Sequence, residues 1–277
     1  MSSPESTVYH IADLQRLMER LRDPDTGCPW DLKQTYQSIA PYTLEECLEL
    51  IDALEQGDLA HVEEELGDLL FQVIFYSQLG KEDGLFDFES VVSGITAKLL
   101  RRHPHVFKDG ELEGVIADRT SIAAIKANWE AEKAAERAAR AQESAMDDVP
   151  KTLSALARAQ KLQKRASSVG YEFSSANKVL ERLESELGEL AEAREIRGQE
   201  EIENELGDVL FTVVNLARHL KVDAEAALRK SNRRFEYRVR RAEDAALAEG
   251  SRLQDESVEQ LETRWSAAKA EEGNDDL

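Results

Sequence analysis

Eight acidic residues form two sets of four with the same internal spacing. Glu46 and Glu49 lie three apart, as do Glu65 and Asp68, and adding 140 to each number gives Glu186, Glu189, Glu205 and Asp208. EECLE at 45–49 with EELGDLLF at 64–71 thus reappears as SELGE at 185–189 with NELGDVLF at 204–211, and Leu70/Leu210 and Phe71/Phe211 hold the register. A fixed offset of this kind marks the duplication of one structural unit. An ExxE or ExxD pair alone carries little information, because acids are common on solvated helix faces. A gathered quartet is different. Unit charges about 5 Å apart repel by roughly 3 kcal/mol per pair at an effective dielectric near 20, so four need cations, shifted pKa values or splaying into water. All-oxygen ligands suit a hard ion, Mg²⁺ with Mn²⁺ as a substitute. A di-iron carboxylate bundle would need Glu-x-x-His motifs, and none of the five histidines follows a Glu at that spacing.

Mg²⁺ on carboxylate pairs completes its shell with water and substrate phosphates, so an acidic chain can accept a polyanion. The ion can neutralise charge developing on phosphate oxygens and lower the pKa of a bound water for in-line attack. A basic surface must face the same ligand. Two segments offer one, KLLRRHPHVF at 98–107 and KSNRRFEYR at 230–238. Lys230, Arg233, Arg234 and Arg238 are spaced so that several can face a common ligand from one helix. In the first segment Pro104 ends the helix just after Arg102, which leaves a short cationic surface. The second runs unbroken to Arg240, so the second module is expected to carry most of the turnover and the first to support folding and dimerisation. His103-Pro104-His105 reads as a structured turn.

Positioning these acids requires helices. At ~100° per residue, Cys47, Leu50, Ile51 and Leu54 form an apolar stripe that Glu46 borders, with Glu49 ~60° beyond it. Leu66, Leu69, Leu70 and Val73 form the matching stripe beside Glu65 and Asp68. Two antiparallel helices packed through these stripes would bring four carboxylates to one edge. Periodicity predicts a first helix from Ile11 to the Asp23-Pro24 stop. Thr43 is expected to cap a second running from Leu44 to Leu54, with Glu46 completing a capping box, and Gly57-Asp58 breaks it. A third runs from Leu59 to Leu79, ending near Gly80, and a fourth from Phe88 to Arg102. The Ala-, Glu-, Lys- and Arg-rich segment 121–142 reads as a connecting helix. Patterning resumes at Leu153, and residues 271–277 read as a frayed end. The expected architecture is all-α: two tandem four-helix modules, 1–120 and 151–277, joined by a helical linker at 121–150.

Composition bounds the partners. In 277 residues the formal net charge is −21, with 42% hydrophobic and 33% charged residues and 6 prolines, five of them at or before Pro104. So acidic a chain argues against a nucleic-acid polymer or an anionic membrane, both gripped by clustered Lys and Arg. Cys28 and Cys47 form neither a CxxC pair nor a disulfide framework, which fits a reducing cytosol. The N-terminus carries no export pattern and no run of about 18 apolar residues occurs. A cytoplasmic location is expected.

GCPWDLKQT at 27–35, APYTLEECLELIDAL at 40–54, EELGDLLFQVIFYSQ at 64–78, RRHPHVF at 101–107 and LARAQKLQKRASSVGYEF at 156–173 resemble the long, two-module MazG nucleoside triphosphate pyrophosphohydrolases. These belong to the all-α NTP pyrophosphatases and are similar in their metal motifs to dimeric dUTPases and phosphoribosyl-ATP pyrophosphohydrolases. The resemblance implies Mg²⁺-dependent hydrolysis of NTP and dNTP to the monophosphate and pyrophosphate, in a homodimer. It assigns metal binding to Glu46, Glu49, Glu65 and Asp68 and to Glu186, Glu189, Glu205 and Asp208. Glu205 and Asp208 are expected to be catalytic, and Lys230, Asn232, Arg234 and Arg238 to bind substrate. Ser185 stands where the first module has Glu45. The competing readings are an enzyme restricted to one nucleotide, as dUTPases are, and a helical dimerisation or regulatory module with vestigial acidic clusters.

Overall fold

A computed structural model of the chain describes residues 8–114, 121–139, 144–196 and 198–272. The chain divides into two compact units, Met1–Ala134 and Ala135–Leu277. Both are all-helical, with no strand among the described residues. None of the helices is long and apolar enough to cross a membrane, again among the described residues.

The first unit contains α1 (Ile11–Leu21), α2 (Tyr36–Gln56), α3 (Leu59–Glu82) and α4 (Phe88–Arg102), and α5 (Ile122–Ala139) begins in it. Gly57, in the left-handed region at φ 75°, closes α2. Asp58 then caps α3 by accepting from the amides of Ala60 and His61. With so short a joint the two helices fold back on each other as a hairpin. The core comprises Met18, Ile39, Ile74, Phe75 and Leu79, closed by the stacked rings of Tyr36 and Tyr76 at 6.3 Å. Arg22 pairs with Glu82 at 2.6 Å and donates to the Asp31 carbonyl, which ties the 23–35 loop to the end of α3. Of the segment read as a connecting helix, α5 accounts for 122–139, and 140–142 lie outside the described residues. Its Trp129 donates through Nε1 to the Arg102 carbonyl at 2.9 Å, so α5 is anchored on the end of α4.

The second unit contains α6 (Ala155–Ser168), α7 (Ala176–Ile196), α8 (Gln199–His219), α9 (Ala224–Ala248) and, beyond the four expected helices, α10 (Val258–Glu272). Its buried apolar residues are small: Val149, Val179, Ala193, Val209, Val214, Ala242, Ala246 and Ala268. Polar ties supplement them. Gln163 donates to the Phe211 carbonyl at 2.8 Å, and Arg264 holds Glu256 at 2.6 Å. Beyond Glu272 the expected frayed tail lies outside the described residues.

Three local expectations need correction. First, α2 starts at Tyr36, not Leu44, with Thr35 and Ser38 forming the reciprocal cap. Pro41 lies inside it; so near the N-terminus it removes one hydrogen bond and the helix continues. Thr43 is therefore an interior residue, its hydroxyl 3.0 Å from that of Tyr76, and Glu46 has no capping role. Second, α3 runs past Gly80 to Glu82. Gly80 is needed for contact, since a Cβ there would meet the Phe86 ring at 2.6 Å. Third, the inner face of α3 runs through Glu65, Gln72, Phe75 and Leu79, whereas Leu66, Leu70 and Val73 of the expected stripe are 51, 39 and 38% exposed. On α2, Leu54 is likewise 56% exposed while Ala53 is buried.

Candidate active site

Each hairpin gathers its acids. In the first unit Glu46 and Glu49 of α2 and Glu65 of α3 each offer a ligand atom, all within 4.8 Å of one another. Asp68, one turn beyond Glu65, is the strongest charge acting on Glu46. In the second unit Glu186 of α7 and Glu205 and Asp208 of α8 meet within the same 4.8 Å. Glu189 adds its repulsion to Glu186. Three acids of each quartet thus stand at ligand distance, and the fourth lies within electrostatic reach.

The inner acids are buried: Glu65, Glu186 and Glu205 are 6, 4 and 9% exposed. The outer acids Glu49, Asp68 and Asp208 face water. Desolvation raises the pKa of Glu46, and Asp68, Glu49 and Glu65 push it further. Desolvation raises Glu186 too, against the Arg182 guanidinium, which lowers it. Glu65 Oε2 and Glu186 Oε2 are buried and lack any hydrogen-bond partner. A buried carboxylate oxygen without a partner is costly. A hard cation ligated by oxygen satisfies it, so the residues present fit Mg²⁺.

Sequence reasoning missed three neighbours of these acids. Arg182 places Nε 2.7 Å from Glu186 and a terminal nitrogen 3.3 Å from Glu189. Ser185 donates to Glu189 at 2.9 Å, so the position that departs from the first module's glutamate supports a cluster acid. In the first unit His61 Nε2 lies 2.7 Å from Glu65. The signal for Arg182 and His61 was the i, i+4 spacing to Glu186 and Glu65. The two units do not share these partners: 140 residues from Arg182 stands Tyr42, and 140 from His61 stands Glu201.

The MazG nucleotide pyrophosphohydrolase domain matches the chain twice, at residues 34–107 and 174–241. The chain is 46% identical over 264 residues to a nucleoside triphosphate pyrophosphohydrolase of Escherichia coli K12, covering 95% of this chain and 98% of that one. It is 40% identical over 257 residues to the nucleoside triphosphate pyrophosphohydrolase/pyrophosphatase MazG of Thermotoga maritima, covering 93 and 94%. The chain belongs to the MazG family. All eight cluster acids lie inside the two MazG segments.

The second MazG segment also includes the basic stretch of α9. Lys230 and Asn232 are exposed there. Arg238 donates to Glu272 at 2.7 Å and its guanidinium lies 5.1 Å from the centre of the Trp265 ring. Arg234 is 3.7 Å from the same Glu272. The end of α10 therefore engages two of the four expected substrate-binding residues. His103 and His105 form the expected turn, His103 Nδ1 lying 2.7 Å from the Leu99 carbonyl oxygen. Neither joins a cluster of metal-ligating groups among the described residues.

An ionised Glu46 stands among three other carboxylates, and its raised pKa means that ionisation opposes folding. That penalty is absent below the ordinary carboxylate pKa of the unfolded chain and grows as pH rises through the raised folded pKa. Without divalent cations, Glu46→Gln is therefore expected to raise the melting temperature at pH 7.5 and to leave it nearly unchanged at pH 4. A variant less stable than wild type at pH 7.5 would rule out repulsion in the first cluster.

Proposed function

We propose that this MazG protein hydrolyses nucleoside triphosphates and deoxynucleoside triphosphates to the monophosphate and pyrophosphate in a Mg²⁺-dependent reaction. The observation that carries this reading is the pair of buried carboxylate clusters, in which Glu65 and Glu186 each keep an oxygen without a hydrogen-bond partner. The printed names of the Escherichia coli and Thermotoga maritima relatives support it.

Glu186, Glu189, Glu205 and Asp208 would hold Mg²⁺ in the second unit, and Glu46, Glu49, Glu65 and Asp68 in the first. When bound, Mg²⁺ supplies charge neutralisation at the phosphate oxygens and an acidified water for attack. Glu205 and Asp208, from one turn of α8, would accept from the attacking water and so orient it. Arg182 exchanges its contacts with Glu186 and Glu189 for the incoming polyanion, a planar donor suited to phosphate. Lys230 and Asn232 contact the distal phosphates from α9, and Arg234 and Arg238 join them when they leave Glu272. Gripping the whole triphosphate leaves the α-phosphorus as the point of attack. Hydrolysis in ¹⁸O-labelled water should then place the label in the monophosphate, read by mass spectrometry. Label in pyrophosphate, or orthophosphate as the first product, would sink the reading.

The protein acts as a homodimer in the cytoplasm, with modules 1–120 and 151–277 joined through 121–150. Support for the dimer comes from a repeated exposed row. Leu66, Leu70 and Val73 of α3 recur as Leu206, Leu210 and Val213 of α8, which are 46, 51 and 43% exposed. Contiguous apolar surface of this kind marks an interaction site, and a second copy would cover it.

A further inference from the structure

The two clusters share their acids and differ in what neutralises them. In the first unit the charges that act on Glu46 are all carboxylates, Asp68 first, then Glu49, Glu65 and Glu45. No Lys or Arg pairs with Glu46, Glu49, Glu65 or Asp68 among the described residues. Their one close partner is His61, 2.7 Å from Glu65, and an imidazole can donate that bond as a neutral group. In the second unit a permanent charge stands inside the cluster. Arg182 sets Nε 2.7 Å from Glu186 and a terminal nitrogen 3.3 Å from Glu189, and it is the strongest charge acting on Glu186. A guanidinium does not give up its proton, so this counter-charge is always present. Ser185 donates to Glu189 where the first unit has another acid, Glu45. The Arg182 side chain stays 43% exposed, against 5% for Glu186 beneath it, so it can swing away while the acid stays in place.

We propose that Arg182 makes cation binding in the second cluster depend on the substrate's phosphates. The first cluster takes Mg²⁺ on its own; the second takes it tightly only when a polyphosphate draws Arg182 off Glu186 and Glu189. Arg182 is thus an internal competitor of the cation. At the dielectric of water, a single charge about 5 Å from a divalent ion changes its affinity by about tenfold. A polyphosphate lifts that opposition, because a guanidinium presents paired donors to phosphate oxygens. By linkage, the cation then strengthens polyphosphate binding by the same factor. The consequence is that the second cluster does not fill with a cation before the group it acts on arrives. The inference rests on the pyrophosphohydrolase reading and adds to it an order of binding set by one positioning residue.

Calorimetry on the full chain tests it with two titrants, Mg²⁺ alone and the preformed complex of Mg²⁺ with inorganic tripolyphosphate. Glu205→Gln with Asp208→Asn leaves only the first cluster, Glu65→Gln with Asp68→Asn leaves only the second, and all four substitutions together set the background. The second cluster should bind Mg²⁺ alone about tenfold more weakly than the first. Adding Arg182→Gln to the second-cluster protein should tighten Mg²⁺ alone by about that factor and weaken the tripolyphosphate complex by a similar one. A merely structural role for Arg182 would weaken both. Arg182→Lys, which keeps the charge, should restore the weak binding of Mg²⁺ alone. Equal affinities of the two clusters for Mg²⁺ alone, or Arg182→Gln that leaves Mg²⁺ binding unchanged or weaker, overturns the order of binding and leaves the phosphate chemistry standing. Failure of both clusters to bind either titrant overturns the pyrophosphohydrolase reading as well.

Discussion

Glu205→Gln combined with Asp208→Asn is expected to abolish pyrophosphate release, whereas Glu65→Gln combined with Asp68→Asn leaves a large fraction of it. The quartets match in residue type and spacing, so the asymmetry must come from what surrounds them. Around Glu186 the second unit has Arg182 and an unbroken basic helix over Ala224–Ala248. Around Glu65 the first unit has His61, and its basic segment ends at Arg102. Removing groups that stabilise charge in the transition state typically lowers turnover by a factor of about 10² to 10³ each. The second-unit variant should therefore fall below detection. A coupled pyrophosphate assay, with circular dichroism and size-exclusion chromatography to show that both variants are folded and equally assembled, decides it. Equal losses from the two double variants would mean that the units share catalysis.

Phe75→Ala is expected to lower the stability of the first unit by about 3–5 kcal/mol, the range for emptying a buried aromatic site. Phe75 is fully buried, lies edge-on to Phe71 at 6.0 Å, and has the Arg22 guanidinium 5.5 Å from its ring centre. Because Arg22 also ties the 23–35 loop to α3, little can collapse into the void. Urea unfolding should show the loss. A change below about 1 kcal/mol would mean that the core relaxes around the cavity. At a temperature where the variant remains folded, pyrophosphate release should stay near wild type if the second unit carries the turnover.

The acids were legible because a repeated spacing survives whatever the chain packs against. Period and capping residues located α1, α3 and α4 to within a few residues for the same reason, since the breakers Pro24, Gly57 and Pro104 act locally. What failed was non-local. The expected start of α2 is too late because Thr43 and Glu46 match a capping box in sequence, although reciprocal bonds between Thr35 and Ser38 start the helix earlier and carry it through Pro41. The apolar stripe of α3 was assigned from hydrophobicity, yet the helix turns Glu65 and Gln72 inward and leaves Leu66 and Leu70 exposed. Arg182 and His61 carried a spacing signal that any surface ion pair shares.

The early start of α2 has an electrical consequence. Counting from Tyr36, Glu46 is the eleventh residue of its helix (46 − 36 + 1), and counting from Ala176, Glu186 is also the eleventh (186 − 176 + 1). Glu65 and Glu205 are each the seventh residue of theirs (65 − 59 + 1 and 205 − 199 + 1). The positive end of a helix macrodipole acts over its first turn and fades within it. All four of these acids thus lie beyond the reach of their own backbones' field. A carboxylate at a helix start would be held ionised by the chain itself and have less to gain from a cation. These four receive no such charge from the helix backbone, so an arriving cation has no helix field to displace.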